Sequence, residues 1–485
     1  MILVIVILIF GYLVLDSIKK FITLNKISFK LKGPTPLPIV GNLIQIGDKG
    51  HKVLLKYHEK YGDVYRIWMG DYFTIVVRDI DMIKKMYIDN AYVFLNHSDT
   101  PSNQYFSHNF GGLPFNLDKS EWKKRRVITA GALSKVKLRN VYNSMNSIIG
   151  QLLENLKQHS ISGEPFEPHY HSDKLLSDIN FKLFFNSDPD RNDVKSKEFQ
   201  KFSDAVNQIV VDLGTGKLSD FVYMLQPLLL KYYQWTYKHM NFIDKFIERE
   251  YNEHVETFKP EYNEDPRDFL DTLIVKMGEH YEGDDIKKMV LELLFNIFIA
   301  SIDTTAGTIE WAYLYLANYP DIQEEVYQEL KTVIGDRELL PSDRNSTPLL
   351  NAFIKELNRI KPVVPFNIPR LTTDDVEIDG IFIPKNTHII ANTYGVGYCE
   401  KYFPNPSEFN PSRFLNPHIN YSVFSYGPRG CVGQHFAMDI LFLSIGNIIK
   451  SYKVSKPNGT KISEEGKLGL SFRPFDFTVS IEERK

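Results

Sequence analysis

Residues 424–433 read Phe-Ser-Tyr-Gly-Pro-Arg-Gly-Cys-Val-Gly, which sets Cys431 in a glycine-rich turn with Phe424 ahead of it and Arg429 two positions before it. The apolar spacing that follows, through Phe436, Ala437, Ile440, Leu441 and Ile445, predicts a helix beginning just past the cysteine. A cysteine so placed can act as a metal ligand. The start of a helix favours a thiolate, amides of its first turn can donate to the sulfur, and such donors tune a bound metal. Gly427 and Gly433 read as tight-turn positions. The competing reading is a buried structural cysteine after a glycine turn.

A second constellation, Ala300-Ser301-Ile302-Asp303-Thr304-Thr305, falls inside a helix predicted over 286–318. A threonine in a helix interior can bond back to the carbonyl four residues earlier and bend the helix. That opens a groove for water, and an adjacent acid, Asp303, can relay protons into it. A polar patch in a buried helix is the alternative. Trp122 and Arg126 stand at i and i+4 and share a helix face, as do Glu356 and Arg359 at i and i+3. Further along comes Phe409-Asn-Pro411-Ser-Arg413-Phe414.

Taken together, these segments resemble the cytochrome P-450 family over nearly the whole chain. Its pattern Phe-x-x-Gly-x-Arg-x-Cys-x-Gly matches at Phe424, Gly427, Arg429, Cys431 and Gly433, and Phe436 and Ala437 extend the match. The resemblance implies that Cys431 is the axial thiolate ligand of a haem b iron. It implies that Trp122, Arg126, Arg370 and Arg429 hold the haem propionates, and that Phe424 and Ala300 also border the haem. Thr304 and Asp303 would deliver protons during oxygen activation. Glu356, Arg359 and Arg413 would form a structural network behind the cysteine loop. Two departures stand out: Ser301 occupies a position usually held by glycine, and Gly395-Val-Gly397-Tyr-Cys399-Glu400 replaces the family's Ala-x-His-Arg-Asp.

The implied activity is a haem-thiolate monooxygenase that inserts one atom of molecular oxygen into an apolar small molecule. A separate electron donor of the NADPH-cytochrome P-450 reductase type is implied, since no Gly-x-Gly-x-x-Gly motif in a strand-turn-helix setting is visible. Two alternatives keep the haem: a reductase-independent isomerase or dehydratase, and a non-catalytic haem sensor. Aromatic and aliphatic residues that could line the substrate pocket include Tyr105, Phe106, Phe110, Leu113 and Phe115, then Phe295, Phe298 and Ile299, Val363, Val364 and Phe366, and Leu470 and Phe472.

The elements that must hold these residues are mostly helical. Helices are predicted at 52–61, 79–88, 121–130, 138–158, 197–212, 235–255, 267–278, 286–318, 320–333 and 347–360. Strands are predicted at 64–69, 72–77, 376–378, 381–383 and 387–391. This is a mainly α fold with a minor β sheet and a long central helix, which the resemblance sets over the haem. The 485 residues are 43% hydrophobic with a net charge of −3, enough for a large core and without a global attraction to nucleic acid. Cys431 and Cys399 are the two cysteines, and Cys399 reads as an ordinary buried thiol.

Ile2 to Leu15 is apolar apart from Gly11 and Tyr12, and Lys19, Lys20, Lys26, Lys30 and Lys32 follow. A retained membrane anchor over 1–24 is favoured over a cleaved signal peptide, because no basic residue precedes the apolar run. A basic linker and proline-rich hinge over 25–42 would lead into a catalytic domain over 43–485. The lysines after the anchor place that domain on the cytoplasmic face, and the resemblance suggests the endoplasmic reticulum. Lys123, Lys124 and Arg125, with Lys135, Lys137 and Arg139, are expected to form a basic face for an acidic electron donor.

Overall fold

The computed structural model describes residues 2–27, 30–134, 139–187, 194–214, 217–416 and 419–484. Lys135, Lys137 and the side chain of Arg139 lie outside them. The fold is organised around one helix, Asp284–Asn318, of 35 residues. Its apolar residues are not confined to a stripe: every residue from Thr305 to Ala317 is buried, Ile309, Trp311, Leu314 and Leu316 among them. A helix apolar on every face belongs in an interior. Among the described residues it alone is long and apolar enough to cross a bilayer, but 67% of its apolar window is buried within the protein.

The helix packed most extensively against it, Pro168–Phe185, was not predicted. Its buried face mixes Ser172, Asp173, Ser177 and Asn180 with Leu175, Leu176, Ile179 and Phe181, while Lys174, Asp178 and Lys182 form a partly exposed stripe. Polar residues on the buried side blur the 3.6-residue contrast, so periodicity is weak there. The helix expected over 235–255 is Lys238–Glu256, set off by an extended Tyr237 from a preceding helix, Gln226–Thr236, that was not predicted. Lys119–Ala132, which carries Trp122 and Arg126, starts where Asp118 accepts from the amides of Ser120 and Glu121.

A five-stranded mixed sheet forms the second lobe, in the order Val64–Met69, Tyr72–Val77, His388–Ala391, Arg370–Leu371, Asn96–His97. Tyr72–Val77 is central and buried along its length, so it reads as a continuous apolar run. The register sets Arg370 beside both His97 and Ile389.

The N-terminal helix runs Ile2–Ile27, past the boundary expected at residue 24. Its second half rests on the sheet lobe. Phe21 packs on Trp68 with ring centroids 4.5 Å apart, and Lys20 reaches Asp71 at 2.9 Å. Val4, Leu8, Tyr12, Leu15, Ile18 and Ile22 form an exposed stripe along it. The proline-rich segment expected to act as a hinge is laid along the first strand. The Arg66 amide donates to Lys32 O at 2.9 Å and the Trp68 amide to Asn42 Oδ1 at 2.8 Å. At Gly33 any Cβ would lie 2.0 Å from Arg66 O, which shows how close the chains run.

Candidate active site

Between the long helix, the cysteine loop and the sheet lies a cavity of about 270 Å³. Cys431, Phe424, Arg429, Arg370, Trp122, Arg126, Ala300 and Thr304, drawn from four separate segments, all line it. A smaller chamber of about 130 Å³ shares Leu113, Ala300, Thr304 and Cys431 with it, so the two are halves of one slot. Asp303 lines neither half.

The cysteine loop is held by its own backbone: Cys431 N donates to Phe424 O and Gly430 N to Gly427 O, both at 2.9 Å. Gly427 has φ +71°, and a Cβ there would lie 1.8 Å from Tyr87 O, so only glycine fits. Gly433 differs from expectation. Its φ of −90° is open to any residue and no atom crowds its missing Cβ. What Gly433 supplies is the amide that donates to the Cys431 sulfur at the start of helix Gln434–Ser451. Cys431 is exposed, but only toward the cavity. Burial by the surrounding loop raises its thiol pKa, and the Gly433 amide and Arg126 oppose this without reversing it. Helix start and amide therefore do not make the thiolate by themselves; a cation bound at the sulfur would.

The charge balance of the cavity is one-sided. Arg126, Arg370 and Arg429 line it, with no carboxylate beside them among the described residues. Arg429 donates to the carbonyls of Leu113, Pro114 and Asn116 at 3.0, 3.0 and 2.6 Å, and stacks on Trp122 at 4.2 Å. Its Nε is buried without a partner. Arg370 donates to Phe94 O at 3.2 Å and lies over the Tyr87 ring. Burial depresses Arg370 to about 10 and Arg429 to about 8, and repulsion from Arg126 adds to both. A walled slot with a surplus of guanidinium at one end, apolar sides and a sulfur facing inward fits a flat apolar group with acidic substituents and a coordinated metal. Haem has that shape and charge.

His97 also lines this end and was missed. It lies in a two-residue strand, Asn96–His97, too short to leave a pattern. Its Nδ1 lies 3.0 Å from Pro369 O, and burial holds its pKa well below the ordinary value, so it is neutral.

Thr304 makes the expected back-bond, Oγ1 to Ala300 O at 2.8 Å. Ser301 Oγ approaches Phe298 O at 3.3 Å and lines the smaller chamber. Asp303, one residue before Thr304, faces the other way, into a separate pocket of about 550 Å³. There it lies 3.4 Å from Arg473, which also binds Asp173 at 2.6 Å and Glu310 at 2.7 Å; His169 completes the cluster, 2.8 Å from Glu310. Burial raises the Asp303 pKa and Arg473 opposes this.

Glu356 and Arg359 form a fully buried bidentate pair, both contacts 2.7 Å. Arg413 approaches Glu356 at 3.5 Å, and Arg359 also donates to the carbonyls of Gly397, Pro406 and Glu408. Gly397 sits where a Cβ would lie 2.5 Å from Arg359 O, so this glycine of the departing segment accommodates the network. Cys399 is buried, 5% exposed.

Two expectations fail. Arg125 is not part of a basic surface; it is buried and paired with Glu292 at 2.9 Å, leaving Lys123 and Lys124 exposed beside it. Of the proposed substrate-pocket residues, Leu113, Val363 and Val364 line the slot. Phe298 instead packs among Phe181, Phe184, Phe185 and Phe202, Phe472 packs on Trp311, and Leu470 lines the Asp303 pocket.

The family model described as cytochrome P-450 matches residues 31–480. Among relatives, the chain is 36% identical to probable cytochrome P-450 508A4 of Dictyostelium discoideum, covering 99% of this chain and 98% of that one. It is 37% identical to probable cytochrome P-450 508A1 of the same organism, over 98% and 97% of the two chains. A zebra fish cytochrome P-450 structure with progesterone superposes with a TM-score of 0.79 at 24% identity, covering 90% of this chain and 99% of that one.

Proposed function

Since the chain belongs to the cytochrome P-450 family, in general haem-thiolate monooxygenases, we propose that it oxidises an apolar small molecule with electrons from a separate NADPH-dependent reductase. The observation that carries this reading is the convergence of Cys431, Thr304 and three guanidiniums on one slot without a carboxylate. Cys431 would hold the iron of haem b. Arg126 and Arg370, with His97 beside them, would take the propionates, while Arg429 mainly fastens the 113–116 segment to the cysteine loop. Trp122 supports this end by stacking under Arg429. Phe424 and Ala300 would border the haem on opposite sides.

Bound haem supplies an iron that activates dioxygen for transfer of one oxygen atom to the substrate. The chain supplies the protons and the dry surroundings. Thr304 donates its hydroxyl hydrogen to Ala300 O, which leaves the oxygen lone pairs free to accept from water in the slot. Asp303 would take protons from the outer pocket, where His169 is half-exposed, and pass them to the slot side of the helix, where its chain neighbour Thr304 lies.

The exposed apolar stripe of helix Ile2–Ile27 supports membrane attachment, with the domain over 43–485 on the cytoplasmic face, as at the endoplasmic reticulum. The part of the helix ahead of its contacts with the body, residues 2–16, is about 22 Å long, short of a bilayer of about 30 Å, so attachment rests on the exposed apolar stripe.

The first test is the carbon monoxide difference spectrum of the reduced protein. A strongly red-shifted Soret band is expected; a histidine-like band or no haem signal refutes the reading. NADPH consumption with reductase and substrate then separates the monooxygenase from a reductase-independent isomerase, and from a sensor that turns nothing over.

A further inference from the structure

Asn296 has no role in the slot so far described. It lies one helical turn before Ala300 and two before Thr304, on the same face. It is 5% exposed and lines the smaller chamber. Neither its Nδ2 nor its Oδ1 has a hydrogen-bond partner among the described residues. An amide buried without partners is unfavourable, and the same amide becomes favourable once a ligand satisfies it.

Its surroundings fix it in place. Gly112, at φ +69°, lies so close that a Cβ there would be 2.5 Å from Asn296 Oδ1. That loop is tied to the long helix by Gly112 N donating to Glu292 Oε2 at 3.3 Å and by the Arg125–Glu292 pair. A second amide, Asn180, lines the same chamber and is 1% exposed. Its Nδ2 donates to Leu176 O at 2.8 Å, which orients its Oδ1 as a buried acceptor without a partner. The other walls are apolar, from Leu113, Leu183, Phe184, Ile297 and Ile440. Arg126, Arg370 and Arg429 line the larger half and none lines this one. The acidic edge of the proposed cofactor is therefore turned away from Asn296, and only its apolar edge could reach it.

We propose that Asn296 determines specificity by hydrogen-bonding a single carbonyl or hydroxyl oxygen on an otherwise apolar substrate. Nδ2 donates to a carbonyl, and Oδ1, with that of Asn180, accepts from a hydroxyl. Fixing that oxygen lays the carbon skeleton along the Ala300–Thr304 face. The proposal rests on the monooxygenase reading and names the substrate class it takes.

The test uses the haem-loaded full chain and the matched probes cyclohexyl phenyl ketone and cyclohexylmethylbenzene, which differ by a carbonyl against a methylene. Affinities are read by titration calorimetry in the wild type and in Asn296→Leu, which keeps the heavy-atom count and branching of the side chain. The wild type should bind the ketone about tenfold or more tightly over the hydrocarbon, since a site built for a polar group rejects the analogue lacking it. Asn296→Leu should bring the two within about twofold. It should also keep the thermal midpoint of the ligand-free protein, because it removes an unsatisfied amide. An equal preference in both proteins, no binding of either probe, or a lowered midpoint that marks Asn296 as structural overturns the proposal. The carbon monoxide spectrum is recorded on both proteins first. Its loss in the wild type refutes the haem-thiolate reading, whereas a normal spectrum with no ketone preference refutes the role of Asn296 alone.

Discussion

Replacing Glu356 by glutamine tests whether the buried network holds the cysteine loop. Both carboxylate oxygens accept from Arg359 at 2.7 Å, and Oε1 also accepts from the amide of Asn410 at 2.8 Å. Glutamine keeps one acceptor and points an NH₂ group at a guanidinium N–H, so a charge-assisted bond becomes two opposed donors. The Arg359 charge is then buried, 0% exposed, with carbonyls alone around it. Each charge-assisted bond contributes about 1.5–3 kcal/mol, and breaking a buried pair by removing one partner costs about 3–5 kcal/mol. That lowers the folding constant by roughly 150- to 5,000-fold. The Arg359 carbonyl partners lie in the 397–408 segment, which leads toward the cysteine loop, so damage there should reach Cys431 before it reaches the sheet. The assay is urea unfolding followed in parallel by haem absorbance and by far-ultraviolet circular dichroism. Haem should be released at a lower urea concentration than helix is lost, with both midpoints below wild type. A shift under about 1 kcal/mol with unchanged haem content would falsify the argument, since a surface ion pair behaves that way.

Four further outcomes are expected. Cys431→Ala should abolish the red-shifted carbon monoxide band; its persistence would mean another ligand holds the iron. Thr304→Ala should raise hydrogen peroxide released per electron consumed, and unchanged coupling counts against its place in proton delivery. Gly427→Ala forces a side chain against Tyr87 O at φ +71°, so haem content of the purified protein should fall sharply; full loading would show that the loop relaxes. His169 has its pKa raised above 6.5 by the Glu310 carboxylate. Stability from that pair is fully present below about pH 6.5 and is lost as pH rises through the raised folded value. Because His169 is half-exposed, the effect is small and salt-sensitive. His169→Asn should flatten the decline of the thermal midpoint above pH 6.5, and an identical decline in both proteins removes His169 as its cause.

Much of the site was legible because its chemistry needs particular residue types at fixed spacings. Cys431, Arg429 and Phe424 lie in one loop, and the Thr304 back-bond to Ala300 follows from helix geometry alone. Arg125 was misread because sequence adjacency to Lys123 and Lys124 says nothing about facing: on a helix it points about 100° from Lys124, into the protein and onto Glu292. The Phe298 cluster was misread for a related reason, since an aromatic near a motif has no label telling core from pocket. The helix Pro168–Phe185 left a weak amphipathic signature because its buried side carries the polar residues Ser172, Asp173, Ser177 and Asn180. Asn296 is a single polar letter in an apolar run, and only its place between Gly112 and the slot gives it meaning.

The contact between Lys20 and Asp71 has a mechanical consequence. Asp71 sits at the tip of the first hairpin, and its second carboxylate oxygen accepts from the amide of Tyr223 at 2.9 Å. Its own amide donates to Phe221 O at 2.8 Å. One side chain thus joins the N-terminal helix, the hairpin tip and the segment leading into helix Gln226–Thr236. The proline-rich stretch is likewise bonded along the first strand. A force on the N-terminal helix is passed through the Lys20–Asp71 ion pair to Phe221–Tyr223.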